Sequence, residues 1–190
     1  MCQKLLGDPN FFEFLYRCDL DATEQARKKG CRWCRGRLHR ADYERKPRGG
    51  LTKLGREYDK RLSLCCAREG CRRRELPPSV RYLGRKVYLA ATIVLCTAMQ
   101  HGVTSQRAAQ LQKAVGVSRK TLARWREFWQ QLFVQTRFWQ QARSRFLPPV
   151  AETELPQSLL ARFAGEPATQ LGSLLRFVAP LTTSSTGGWE

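Results

Sequence analysis

A chain of 190 residues carries 34 lysines and arginines against 16 aspartates and glutamates, a formal net charge of +18. That length holds one domain or two small ones, and that imbalance selects a polyanionic partner, nucleic acid ahead of an anionic membrane surface. The longest apolar run, Val87 to Met99, spans about thirteen residues and is too short to cross a bilayer.

Residues 8–28 have the marks of a helix. Asp8 can cap it, Pro9 suits its first position, and Phe11, Phe12, Leu15 and Cys18 recur at three- and four-residue intervals. Lys28-Lys29-Gly30 then stops it. Residues 1–30 are therefore expected to be an N-terminal helical segment.

Two close cysteine pairs follow. Cys31-Arg-Trp-Cys34 is answered by Cys66-Ala-Arg-Glu-Gly-Cys71, with a polar insert between them. This spacing predicts a zinc ribbon over 31–78, in which Cys31, Cys34, Cys66 and Cys71 hold a structural zinc ion in a closed tetrahedral site. Gly36 and Gly70 suit left-handed turns beneath the two knuckles. The choice between Cys65 and Cys66 is open, although strand alternation favours Cys66, and His39 is an alternative ligand. The insert is expected to supply one strand over 38–43, a flexible basic turn over 46–50 and a second strand over 61–66. With no basic start followed by an apolar run, the eight cysteines are expected to be reduced and intracellular, and some to be metal-bound.

Charge is concentrated on this segment. From Cys31 to Lys86 there are eighteen lysines and arginines and six acids, so 18 − 6 leaves +12 of the total +18. Arg35, Arg37, Arg40, Arg45, Lys46, Arg48, Arg72, Arg73 and Arg74 are the candidate phosphate contacts.

Leu76-Pro77-Pro78-Ser79 is an extended link, because proline disfavours helix in the residue before it. A helical domain is expected over 79–147. Its core helix runs from residue 84 or 85 to 100, with Val87, Ala90, Ala91, Val94, Leu95 and Ala98 on its apolar face and Cys96 buried inside it. Residues 104–131 fit a helix-turn-helix. Apolar residues fall at 111, 115, 117, 122 and 125, Gly116 makes the turn and Ser118 caps the second helix. Gln112 departs from the small residue usual in the first helix. Ser118, Arg119, Lys120 and Arg124 then face outward, where they can read base edges; an ordinary hairpin with a basic solvated face is the plainer alternative. The aromatic stripe from Trp125 to Trp139 reads as core, with stacking on single-stranded bases as the sharper alternative. Two short helices, 154–164 and 168–178, fall within a segment from 148 to 181, and 182–190 is a Ser/Thr/Gly tail expected to be disordered.

Nothing in the sequence marks an enzyme. The two histidines lie far apart, no phosphate-binding glycine loop is present, and Glu13, Asp19 and Asp21 fit a solvated helix face better than a metal cage. The fold class expected is mainly α with a small β zinc ribbon, a helical bundle containing a helix-turn-helix.

The knuckle pair, the run Leu38-His39-Arg40-Ala41-Asp42-Tyr43 to Lys46-Pro47-Arg48-Gly49, the run Cys65-Cys66 to Cys71-Arg-Arg, and Pro77-Pro78-Ser79-Val80-Arg81 together resemble small bacterial zinc-ribbon plus helix-turn-helix proteins associated with mobile elements. The resemblance covers residues 31–147 and extends more loosely to the DNA-binding front ends of transposases. It implies a cytoplasmic, nucleoid-associated accessory protein that binds duplex DNA, with a transposase or recombinase partner supplying the chemistry. The rival expectations are an RNA-binding subunit of a ribonucleoprotein, an assembly module for the partner enzyme and, within the DNA class, a stand-alone transcriptional regulator.

Overall fold

The computed structural model describes residues 5–50, 55–83, 86–98, 109 and 115–183. The first helix, α1 (Pro9–Lys29), forms where the capping signals place it. Asp8 accepts the Asn10 N–H at 2.9 Å, and Gly30, at φ 73°, ends it after Arg27, Lys28 and Lys29. Its buried stripe is Phe11, Phe12, Leu15, Asp19 and Thr23.

Asp19 overturns its expected place on a solvated face, being 1 % exposed. Its Oδ2 accepts from Ser79 Oγ at 2.6 Å and from Arg81 Nε at 2.8 Å, while Oδ1 accepts the Val80 N–H at 2.7 Å. The remaining guanidinium nitrogens of Arg81 donate to the carbonyls of Tyr58 at 3.2 Å and Lys60 at 2.9 Å. The same guanidinium lies over the rings of Tyr16, Tyr58 and Tyr82. Every strong polar group of the pair is answered, which a buried ion pair requires. The link 76–81 is thus extended but runs inside the molecule, where Ser79 N–H also meets Thr182 Oγ1 at 2.9 Å.

Among the described residues, five short strands lie between positions 38 and 75. Strands β1 (Leu38–Arg40), β4 (Leu64–Cys66) and β5 (Arg74–Glu75) form an antiparallel sheet with β4 central, and β2 (Tyr43–Glu44) pairs antiparallel with β3 (Lys60–Arg61). The two longer strands expected over 38–43 and 61–66 are therefore each broken in two. Asp42 Oδ1 accepts the Ser63 N–H at 3.0 Å, and Ser63 Oγ donates to the Ala41 carbonyl at 2.9 Å. Together with one backbone bond, Ala41 N–H to Ser63 O at 2.8 Å, these side-chain bonds bridge the step in pairing from one sheet to the other.

The core helix α2 (Ala90–Ala98) is buried at all nine positions, Cys96 among them. Its described start is later than periodicity suggests. The Arg48 N–H donates to Val87 O and the Leu89 N–H to Arg48 O, so residues 87–89 are held extended and Val87 stands 50 % exposed. The expected flexible turn over 46–50 is pinned by these same bonds. Gly49 sits at φ 81°, its carbonyl accepts from Thr92 Oγ1, and a Cβ on it would lie 2.8 Å from Thr92 Cγ2. Glycine is required there both by conformation and by contact.

Helix α3 (Arg119–Glu127) starts at Ser118, whose side chain accepts the Thr121 N–H, and continues as a π-helical turn over Phe128–Phe133. The wider turn changes the phase of the stripe: Phe128, Trp129 and Phe133 go in, while Leu132 is left 50 % exposed. The first helix expected for the helix-turn-helix falls almost wholly outside the described residues, as do 184–190 of the tail. Helices α4 (Arg137–Ala142), α5 (Gln157–Leu160) and α6 (Pro167–Val178) complete the architecture. The expected helix over 154–164 shrinks to α5 because Pro156 excludes Leu155 from helical geometry. The aromatic stripe is core: Trp125, Phe128, Trp129, Phe133 and Trp139 are all buried. This large core includes α1, α2, α3 and α6, whereas Cys31, Leu38, Leu64 and Cys66 form a second, small one.

Candidate metal centre and basic surface

The two knuckles are built alike. In the first, the Cys31 N–H donates to Gly36 O at 2.9 Å and the Arg35 N–H to Cys31 O at 2.7 Å. In the second, the Cys71 and Arg72 N–H groups both donate to Arg68 O. Each knuckle takes a left-handed residue directly after its second cysteine, Arg35 at φ 58° and Arg72 at φ 44°. The left-handed turn expected at Gly36 belongs to Arg35. Gly36 is needed instead for space, since a Cβ there would stand 3.3 Å from Cys34 Sγ, Cys66 Sγ and Arg68 Cβ. Gly70, at φ 80°, has the conformation expected of it.

Strand β4 carries Cys66 into the centre. Leu38 pairs with Cys66 and His39 with Cys65, so strand alternation sends Leu38 and Cys66 inward and His39 and Cys65 outward. The Cys65 thiol donates to Arg72 O at 3.4 Å, and His39 is exposed. The sulfurs of Cys31, Cys34, Cys66 and Cys71 all lie within 4.8 Å of one another. Cys31 and Cys71 are 3.8 Å apart and Cys34 and Cys66 3.5 Å. Four sulfurs at 2.3 Å from a tetrahedral zinc stand about 3.8 Å from each other, so the donor set fits a metal ion in both chemistry and size.

The protons on these sulfurs fit the same conclusion. The Gly36 N–H, and then the Cys66 thiol, hold Cys34 down at about 7. At Cys66 the Arg68 N–H works downward, but burial and the neighbouring sulfur of Cys34 push the thiol up to about 12. At Cys71 the Arg73 N–H pulls down, and burial with Cys34 and Cys31 prevails, raising it. Burial and close sulfurs thus oppose the thiolate at Cys66 and Cys71, the form that a bound cation would favour.

The basic residues fall into several environments. Arg35, Arg37, Arg72 and Arg73 are exposed on or beside the knuckles and make no ion pair among the described residues. Arg40 and Lys46 are exposed but paired, with Asp42 at 2.7 Å and Glu44 at 3.6 Å. Arg45 and Arg74 work structurally: Arg45 donates to Lys86 O at 3.1 Å and lies over Tyr82, while Arg74 donates to Ala41 O and Ser63 Oγ. Arg48 is exposed, its backbone tied to 87–89. On α3, Ser118, Arg119, Lys120 and Arg124 are exposed while Leu122 and Trp125 face the core. Lys86 joins this group from the stretch just before α2. It sits over the Phe128 ring at 4.3 Å, and burial followed by the charge of Arg124 holds its ammonium below the usual lysine range.

Sequence reasoning missed the buried Asp19–Ser79–Arg81 group. The signal was present in the spacing Phe12, Leu15, Asp19, Thr23, which puts a carboxylate on the apolar stripe. It also missed Arg61, 1 % exposed, whose guanidinium donates to the carbonyls of Leu62 and Pro77. Among the described residues no helix is long and apolar enough to cross a membrane. No family model, curated protein or solved structure matches this chain.

Proposed function

We propose that Cys31, Cys34, Cys66 and Cys71 hold a structural zinc ion and that the chain is a DNA-binding accessory protein of a mobile genetic element. The observation that carries this reading is the placement of Arg35, Arg37, Arg72 and Arg73, exposed and without an ion pair among the described residues, on or beside the two loops whose cysteines come together. Zinc with four sulfur ligands leaves no open coordination position, so its contribution is folding energy. The ordered knuckles then present fixed positive charge to phosphates, and α3 presents Arg119, Lys120 and Arg124 to base edges as the second helix of a helix-turn-helix. Breaking and joining of DNA fall to a partner transposase or recombinase, and the working location is the bacterial nucleoid.

The test combines metal content by mass spectrometry with DNA binding over a salt series. One zinc per chain and an affinity that drops steeply as salt rises are expected. Arg73→Gln weakens all duplexes alike, whereas Arg119→Gln and Arg124→Gln lower the preference for a selected site. The reverse pattern overturns this division of labour, and a stronger hold on structured RNA than on any duplex moves the protein to a ribonucleoprotein.

A further inference from the structure

Trp33 stands apart from the other described tryptophans. Trp125, Trp129 and Trp139 are buried, but Trp33 lies between two cluster cysteines and is 41 % exposed. An exposed indole is not unusual by itself, but it leaves a large flat face open to a partner. Its surroundings are cationic. The Arg32 guanidinium is 4.1 Å from the ring centroid and that of Arg73, from the second knuckle, 5.3 Å. The carboxylate of Glu75 is engaged with the Arg32 backbone N–H at 3.5 Å. The backbone that carries Trp33 is held by the Cys31–Gly36 and Arg35–Cys31 hydrogen bonds, between two cysteines of the sulfur cluster.

The other exposed aromatics are accounted for differently. Phe14 lies against Gly172 under Arg176, which donates to Cys18 Sγ, and the cation over Tyr43 is Arg74, which already donates to Ala41 O and Ser63 Oγ.

We propose that Trp33, flanked by Arg32 and Arg73, is a stacking platform for an unpaired nucleobase, so that the ribbon prefers a single-stranded nucleic-acid end to the interior of a duplex. A base has the flat π face that an indole accepts, and it can exchange places with a guanidinium resting on the ring. The displaced arginine, together with Arg35 and Arg72, then meets the phosphates on either side of that base. Bases inside a duplex are stacked on one another and offer no free face, so Trp33 discriminates by strand state and not by sequence. This inference rests on the nucleic-acid reading above.

The experiment measures fluorescence anisotropy with three probes of one sequence: a blunt DNA hairpin closed by a non-nucleotide linker so that it holds no unpaired base, the same hairpin with a single-stranded DNA overhang, and the hairpin with an RNA overhang. Metal content is recorded for every variant. The wild-type chain binds an overhang more tightly than the blunt hairpin. Trp33→Ala erases that preference, a loss of roughly five- to hundredfold, while blunt-hairpin affinity and zinc content stay within about twofold. Trp33→Phe keeps part of the preference. A larger gain on the RNA overhang, lost in Trp33→Ala, supports the platform and assigns its base to RNA. Trp33→Ala with zinc bound and the overhang preference intact overturns the platform, as does an equal loss on blunt and overhang probes. Blunt binding without overhang preference in the wild type overturns the platform alone, and no binding to any probe overturns the nucleic-acid reading with it.

Discussion

Cys65 and Cys66 are neighbours in sequence and opposites in environment. Cys66 lies in the small core 3.5 Å from Cys34, while the Cys65 thiol turns out to a backbone carbonyl. Cys66→Ser is expected to abolish metal retention and Cys65→Ser to leave it intact, as read by metal content after gel filtration. Equal loss in both would place the fourth ligand wrongly. The titration of the sulfurs gives a direction for pH. Metal binds thiolates, and the metal-free Cys66, at about 12, and Cys71, also raised, keep their protons at neutrality. Uptake at pH 7 therefore releases protons, about two or more per ion, and affinity falls with each step of acidification; an indicator dye in weak buffer checks both. Asp19 makes a third case. Asp19→Asn leaves Arg81 buried with its charge uncompensated, and a loss of about 3–5 kcal/mol is expected by denaturant titration.

Among the elements, those with complete local signals were legible from sequence. Helix α1 had a cap, a proline, a periodic stripe and a glycine stop, and its structure agrees to within a residue. Both knuckles were legible because metal ligation needs specific residue types at specific spacings. The strands between them were not. Their breaks depend on Asp42 bonding to Ser63, twenty-one residues away, and local alternation carries no trace of such a contact. The late start of α2 has the same origin, since the Arg48 backbone takes hydrogen-bonding groups of residues 87–89. The π turn in Phe128–Phe133 is a further example. Its apolar content was plain, but which side Leu132 takes is decided by the tertiary packing of three neighbouring aromatics.

For the whole molecule, the arrangement of two cores sets how it comes apart. The sulfur cluster belongs to the small core of Cys31, Leu38, Leu64 and Cys66, and α2, α3 and α6 pack in the large one. Chelation of the metal is therefore expected to loosen the strands and lower the first thermal transition while leaving most of the far-ultraviolet helical signal. Complete loss of that signal on chelation would show that the two cores fold as one. Helix α1 is the element shared between them, because Ala26 packs on the small core while Phe11, Phe12 and Leu15 pack in the large.

The two left-handed arginines carry one more consequence. An L-residue with a side chain is strained at positive φ by about 1–2 kcal/mol, and glycine is not. Arg35 at φ 58° and Arg72 at φ 44° occupy positions where glycine would be the more comfortable choice. Arg35→Gly and Arg72→Gly should then raise the melting temperature of the metal-bound protein while weakening its hold on polyanions. Stability and charge are set against each other at the same two residues, and at both this chain has kept the charge.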